Sequence, residues 1–582
     1  MPKIGSPNAT ACCLPGRQSG AMKPLQRAAD HFKRGEYDQV ELVCAEVLAT
    51  RPDDARAWQM RGLAALHLRK FEDAAAFLKE AASRQARPET LINLAVAFLA
   101  LERLTDAINI LQHALERAPE NAGAHLTLAA CYMQEQRYQD AEDVLEKVLA
   151  FKPDWPKALD MQARVALKRN DNERAWNLAL AALAGDPSLS ASHRVLGDIA
   201  MNRMNFDLAA DHYRLSLRNN PNDPETQGNY ALLLTRRGDY AEALTWYKRA
   251  AEGSPQDAAL RHGLGDVLLI QGHLAEGWAQ HGWRHLRKEE NRALVDQPLL
   301  LELPKGASGV AVLDQGVGDQ IMIASIIPDL ARQFTNLEVQ CDPRLHALLR
   351  RSFPDVRFSS FILNSVPGAA ATAGSFGVGD SGRWLRSRFE DFPRHAGYLK
   401  PDAGLQAMLR QRYTEKSRGP VVGISWATRK VKLAPHKSLP LATWGPLLSM
   451  PGVTFVNLQY DSDPAEVAEA ARRFGARIIS DPAVDASGDL DPFAAQVASM
   501  DLVITSSNAA AHVAGALNVP TWVFVPEGMG GIWHWFLERE DSPWYPSVRL
   551  FRQTKRGEWQ DVVDRASSAF LTFVEQWTDL NP

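Results

Sequence analysis

Through residues 23 to 290, apolar and small residues return every three or four positions and are broken at short intervals by polar turns. That pattern predicts pairs of short antiparallel helices. Prolines at 119, 153, 187, 221 and 255 fall 34 residues apart, each where a second helix has to stop. One such pair cannot bury its own apolar stripe, so copies must stack into a solenoid. In NYALLLTRRGDYAEALTWYKRAAEGSP, Gly238 and Tyr240 make the turn, Ala243 and Ala250 allow close helix contact, and Pro255 ends the unit. Tyr138, Ala141 and Pro153 form a comparable set, as do Phe206, Ala209 and Pro221. Counting from Arg56 or slightly earlier gives about seven or eight units. Near Pro88 the phase slips, which is read as a longer turn within the solenoid.

A helix-turn-helix period of 34 is that of the tetratricopeptide repeat. The first helices of such a stack line a concave face where extended or helical protein segments dock. Asn93 and Asn229, at similar places in first helices, are candidates for binding a client backbone; the alternative is that each is a solvated polar residue. In the last unit, GHLAEGWAQHGWRHLR sets Trp278 and Trp283 where small packing residues are expected, which suits a cap pressed against a following domain.

After residue 305 the punctuation changes. GVAVLDQGVGDQIMIASIIPDLARQF reads as a strand, a turn at Gly316 and Gly318, and a helix. NLEVQCDP, PVVGISWATRK, GVTFVNLQY, ARIIS, MDLVITSS and PTWVFVPEG read as further strands, and SVPGAAATAGSFGVGDSG as a loop. Strands that are apolar throughout belong to parallel sheets covered on both faces. The expected fold is therefore an α-solenoid over 23–290 followed by an α/β region over 305–575. That region has two Rossmann-like lobes, about 305–405 and 419–575, with ligands bound beyond the carboxyl ends of the strands. Residues 1–22 are expected to form a disordered tail.

The 582 residues are 46% apolar and 23% charged with a formal net charge of -4, so nothing electrostatic points to nucleic acid or an anionic membrane. No stretch has the apolar core of a signal peptide or the roughly 20 apolar residues of a membrane span, so a cytoplasmic location is expected. Cys12, Cys13, Cys44, Cys131 and Cys341 are few and odd in number, and in helical sequence a thiol acts as a small hydrophobe.

Six motifs taken in order, GHLAEGWAQHGWR, DQGVGDQI, GISWATRK with KSLPLATW, FVNLQ, AAAHVAGALNVPTWVFVP and REDSPWYPSVRLFRQ, resemble bacterial tetratricopeptide proteins. The C-terminal domain of those proteins is related to heptosyltransferases of the GT-B glycosyltransferase fold. The resemblance implies a metal-independent, inverting transferase with a nucleotide-sugar as substrate and no cofactor. In MDLVITSSNAAAHVAGAL a strand ends in Ser506, Ser507 and Asn508 and a helix begins at once, so hydroxyls and backbone N–H groups face an incoming anion. In the segment that resembles the donor-phosphate loop, Arg429 and Lys437 can add positive charge and Thr428 a hydroxyl. Glu527 can accept from a ribose hydroxyl, and His512 is expected on the helix facing the cleft. The related transferases place an aspartate at the QGVGD turn to take the acceptor's proton, which makes Asp319 the candidate general base; the alternative is that it caps the following helix. Many relatives carry Asp-Thr where this chain has Ser507-Asn508, a departure that touches donor choice or catalysis itself. Asp461-Ser462-Asp463 has the look of a metal triplet but precedes a proline and reads as a turn.

The architecture resembles flagellin glycosyltransferases. It implies a protein O-glycosyltransferase that holds its client, flagellin, on the repeats and transfers a nine-carbon acidic sugar from its CMP derivative to Ser or Thr. A surface-polysaccharide transferase and a catalytically silent scaffold are the alternatives.

Overall fold

The computed structural model describes residues 24–287, 302–360, 375–415, 419–428 and 434–580. The expected tail 1–22, Cys12 and Cys13 within it, and Arg429 lie outside these residues. Helices pair along the first half as Pro24–Lys33 with Tyr37–Thr50, Ala55–His67 with Phe71–Arg84, Pro88–Ala100 with Leu104–Arg117, and Ala122–Gln134 with Tyr138–Phe151. Pro156–Lys168 pairs with Asn172–Gly185, Ser190–Asn202 with Phe206–Asn219, Pro224–Arg237 with Tyr240–Gly253, and Ala258–Ile270 with Leu274–His281. The phase slip near Pro88 corrects an expectation. The break between Arg84 and Pro88 is Gln85–Arg87, shorter by one residue than those after Thr50, Arg117 and Phe151.

The turns inside the pairs share one device that the proline spacing does not reveal. Gly35, Arg69, Glu102, Gln136, Asn170, Met204, Gly238 and Gly272 all have positive φ, between 59° and 91°. Immediately after most of them, a backbone N–H reaches five residues back, as from Arg137 to the Tyr132 carbonyl at 2.8 Å and from Asp171 to the Ala166 carbonyl at 2.9 Å. This satisfies carbonyls that the first helix leaves open. Alanines then set how closely the helices approach: Ala74, Ala107, Ala141, Ala175, Ala209 and Ala243 are fully buried at equivalent places in second helices. Cys44 and Cys131 are buried among such packing residues, as is Cys341 in a later strand, and burial pushes each thiol up to about 12.

The chain divides into two compact units, 1–226 and 227–582. The second contains two parallel sheets. Strands β1 (Gly306–Val312), β2 (Phe334–Cys341), β3 (Arg357–Ser360) and β4 (Phe376–Gly377) form the first, in the order β3-β2-β1-β4. Strands β5 (Val421–Ser425), β6 (Thr454–Asn457), β7 (Arg477–Ile479), β8 (Leu502–Ser506), β9 (Thr521–Val525) and β10 (Val548–Arg552) form the second, in the order β10-β9-β8-β5-β6-β7. All strand pairs are parallel. Every residue of β5 and β8 is buried, which is why both read as unbroken apolar runs. The Gly/Ala/Ser stretch read as a loop contributes β4 and the turn Val378–Ser381, a correction for its second part; residues 361–374 lie outside the described ones. Among the described residues no helix is long and apolar enough to cross a membrane.

The second unit begins within the repeats, and their last helices pack directly on the sheets. Trp278 is 3% exposed, donates to the Arg386 carbonyl at 3.0 Å, and meets Trp533 and Trp544 edge-on. This is the cap anticipated for Trp278. Trp283 differs: it is only half-buried, with the Arg261 guanidinium 5.3 Å over its ring. Arg284 and His285, which lie within the stretch GHLAEGWAQHGWRHLR but were given no role there, fasten the joint. Buried Arg284 pairs with Asp314 through Nε and Nη2 at 3.0 and 3.1 Å and with Asp380 at 2.5 Å, while His285 Nε2 lies 2.7 Å from Asp380. These contacts push Arg284 up and hold the Asp380 carboxyl well below the usual range, against the cost of burial.

Candidate functional site

In the second sheet the chain runs outward from β5 through β6 to β7, returns to lay β8 beside β5, and then continues outward through β9 to β10. Such a reversal opens a crevice at the carboxyl ends of the two central strands. Asn508 stands there as N-cap of the helix Ala509–Ala516. Its Oδ1 accepts from the Ala510 N–H at 3.0 Å and from Thr505 Oγ1 at 3.1 Å. Its Nδ2 donates to Ser425 Oγ at 2.8 Å and to the Ala427 carbonyl at 3.2 Å, so one side chain ties β8 to β5. Ser506 is fully buried, with its Oγ 3.3 Å from Asn508 Nδ2, and Ser507 Oγ accepts from Trp535 Nε1 at 2.8 Å. Gln459 braces the opposite wall, its Oε1 accepting from the backbone N–H groups of Trp426 and Ala427 at 3.0 and 2.8 Å. Thr428 ends that wall with its N–H on Ser438 Oγ at 3.0 Å.

The other side is built by the first sheet. The helix Val317–Ile323 follows β1, with Gly316 as its N-cap, so Asp319 sits in the first turn and is not the cap. That helix packs on Ala509–Ala516 so tightly that a Cβ at Gly318 would lie 2.9 Å from His512 Cδ2. Asp319 is 29% exposed, and its Oδ1 is 4.0 Å from His534 Nδ1. His512, buried, has Nδ1 2.9 Å from the Tyr545 hydroxyl and stacks on Trp535 at 5.3 Å between centroids. Burial, aided by the positive charge of Lys437, pushes His512 down to about 3 and His534 well below its ordinary value. Lys437 itself is 4% exposed and lies under Gly530, where a Cβ would come within 2.9 Å of its Cγ.

The structure thus brings Gly316, Gly318, Asp319, Lys437, Ser506, Ser507, Asn508 and His512 to one locus. Glu527 lies toward the repeats: a Cβ at Gly238 would be 2.7 Å from its Oε1, and burial raises its carboxyl. Asn93 and Asn229 are half-buried on the first helices Pro88–Ala100 and Pro224–Arg237. Asp461 has a φ of 51° and Asp463 caps the helix Pro464–Phe474, as a turn requires. His534 and Trp535 escaped the sequence reading, although GGIWHWF crowds two indoles around one imidazole directly after a glycine-rich strand end.

Family models described as tetratricopeptide repeat match residues 98–165, and 25–89, 161–224, 205–258 and 231–277. The solenoid is one of tetratricopeptide repeats. The chain is 28% identical over 450 residues to Protein FlbA of Caulobacter vibrioides, which covers 72% of this chain and 74% of that protein. That share exceeds everything ahead of β1, so the similarity extends into the α/β region. A second relative is the human Protein O-mannosyl-transferase TMTC1, 26% identical over 208 residues, 36% of this chain and 20% of that protein. Among solved structures, the APC/C hetero-tetramer Cut9-Hcn1 aligns with a TM-score of 0.37 at 21% identity, over 42% of this chain and 48% of that one.

Proposed function

We propose that this protein is an O-glycosyltransferase of GT-B type that holds a protein client on its repeats and transfers a sugar from a nucleotide donor to Ser or Thr. The observation that carries the reading is the meeting of two helix starts at strand ends. One bears Asp319 and the other Ser507 and Asn508, with the buried Lys437 close by. The donor's phosphate takes the N–H groups and dipole at the start of Ala509–Ala516, reinforced by the Lys437 ammonium. Asp319 takes the proton of the acceptor hydroxyl, whose oxygen bonds to the anomeric carbon. The bond from that carbon to the phosphate oxygen breaks, the nucleotide leaves with the electron pair, and the configuration inverts. As the resemblance implies, flagellin is the client and a nonulosonic acid the sugar, with no metal required. The printed name of the relative TMTC1 supports transfer to protein, and the length of the FlbA match supports repeats and α/β region acting in one chain.

Intact-mass measurement of flagellin from cells with and without the full-length protein tests this directly. A mass increment that vanishes with the gene and returns with it supports the reading, and an unchanged flagellin mass removes that client. A silent scaffold is the second reading, favoured by Ser507, whose hydroxyl is engaged by Trp535 where relatives carry an acid. It predicts no calorimetric response to any nucleotide.

A further inference from the structure

His534 is fully buried, yet among the described residues neither of its ring nitrogens has a hydrogen-bond partner. Folded proteins rarely leave such groups unpaired, and where they do the group usually serves a purpose. The imidazole sits in the short turn Trp533–Trp535, boxed by His512 and Trp535, each 4.8 Å away between centroids, and by Trp533 at 5.6 Å. The turn ends at Phe536, whose φ of 49° is rare for so bulky a residue. Its ring is locked edge-on against Phe389 at 5.1 Å. Strained backbone of this kind persists only where the surroundings enforce it. The result aims one imidazole edge at Asp319, with 4.0 Å between Nδ1 and Oδ1. The imidazole is sealed from solvent whereas the carboxylate is 29% exposed.

We propose that His534 is the positioning residue of Asp319: carrying its proton on Nδ1, it donates to the carboxylate and orients the oxygen that receives the acceptor's proton. The separation is long for a hydrogen bond, as catalytic contacts often are before substrate binds, and it closes in the loaded site. Burial together with the neighbouring Lys437 keeps the imidazole neutral, so His534 is not itself the base. The proton passes from the hydroxyl to Asp319, and the exposed edge of that carboxylate returns it to solvent. This rests on the reading of Asp319 as general base.

One experiment needs no substrate. In the full-length protein labelled with ¹⁵N-histidine, His534 is expected as the neutral Nδ1–H tautomer, and Asp319→Asn is expected to release that preference. A tautomer indifferent to residue 319 overturns the proposal. The second measures flagellin modification by intact mass for His534→Asn, whose amide nitrogen falls near Nδ1, and His534→Gln, whose amide nitrogen falls near Nε2. Misplacement of a reacting group by about 1 Å costs about 10²-fold. A loss of that size is expected in the Gln variant, with the Asn variant within about tenfold of wild type. Equal losses mark a packing role and overturn the proposal. Normal transfer in His534→Gln with Asp319→Asn inactive overturns the positioning role alone. Normal transfer in Asp319→Asn removes the base reading and the purpose of the pair with it.

Discussion

Asn508 donates from Nδ2 to Ser425 Oγ at 2.8 Å and so joins the ends of β8 and β5 where the order of the second sheet reverses. Asn508→Ala removes the helix cap and both cross-strand donors. It is expected to destabilise the protein by about 2–4 kcal/mol in urea unfolding. Asn508→Asp keeps the cap but loses the donors and turns a buried carboxylate on the Ala427 carbonyl, so a loss at least as large is expected. A wild-type midpoint in both variants would show that the tie is dispensable.

Lys437→Met keeps the stem that supports Gly530 while removing the charge. If the ammonium meets a donor phosphate, affinity for the nucleotide falls by about tenfold or more in calorimetry, and binding of the protein client does not change. Unchanged nucleotide affinity would confine Lys437 to packing.

Acid should weaken the second unit. His512 titrates at about 3 in the folded protein, against an ordinary value of 6.5, and His534 is also held well below it. Between pH 6.5 and 5 the unfolded chain takes up protons that the folded one refuses. Stability present above pH 6.5 is therefore lost as pH falls, by about 2 kcal/mol per buried imidazole at pH 5. Thermal unfolding of wild type and His512→Gln at pH 7 and pH 5 checks the sign: the variant should be the less acid-sensitive of the two.

Met204 has a φ of 64° and is 41% exposed, so its side chain contributes little while its backbone is strained. Met204→Gly relieves the left-handed conformation but gives the unfolded chain more freedom, for a net gain of about 0.5–1 kcal/mol. Calorimetric unfolding of residues 24–226 should rise by a few degrees. A fall would mean that the side chain packs more than its exposure implies.

The repeats were legible because their packing is periodic. Ala141, Ala175 and Ala209 answer the same local demand at every turn, and prolines mark the ends. The left-handed turn residues were hidden, since Arg69, Glu102, Gln136 and Met204 are not residues that such a turn selects. Strands β5, β6, β8 and β9 were readable from unbroken apolar runs. The two-residue β4 and the half-exposed β3 carry too little pattern to be read. Ser507 and Asn508 could be singled out because a strand end followed at once by a helix start has a signature, whereas Lys437 and Asp319 were singled out through the resemblance. Arg284, Asp380 and His534 were not, because their role comes from partners tens of residues away in sequence.

Arg284→Ala would leave Asp314 and Asp380 buried without their cation, at a cost of about 3–5 kcal/mol. A fragment beginning at Gly306 loses the same partner, together with the indole of Trp278. Expression of 227–582 should therefore give a cooperative unfolding transition, whereas 306–582 should bind hydrophobic dye and lack one. A soluble, cooperatively folding 306–582 would contradict the importance of the joint.

The arginine that closes this joint also sets where the protein can be recombined. A chimera that grafts a foreign solenoid ahead of β1 severs Arg284 from Asp314 and Asp380, while a graft made at the unit division near Gln227 carries the salt-bridge set across intact. The repeats ahead of Gln227 are thus the exchangeable part, and the last two helix pairs are inherited with the sheets.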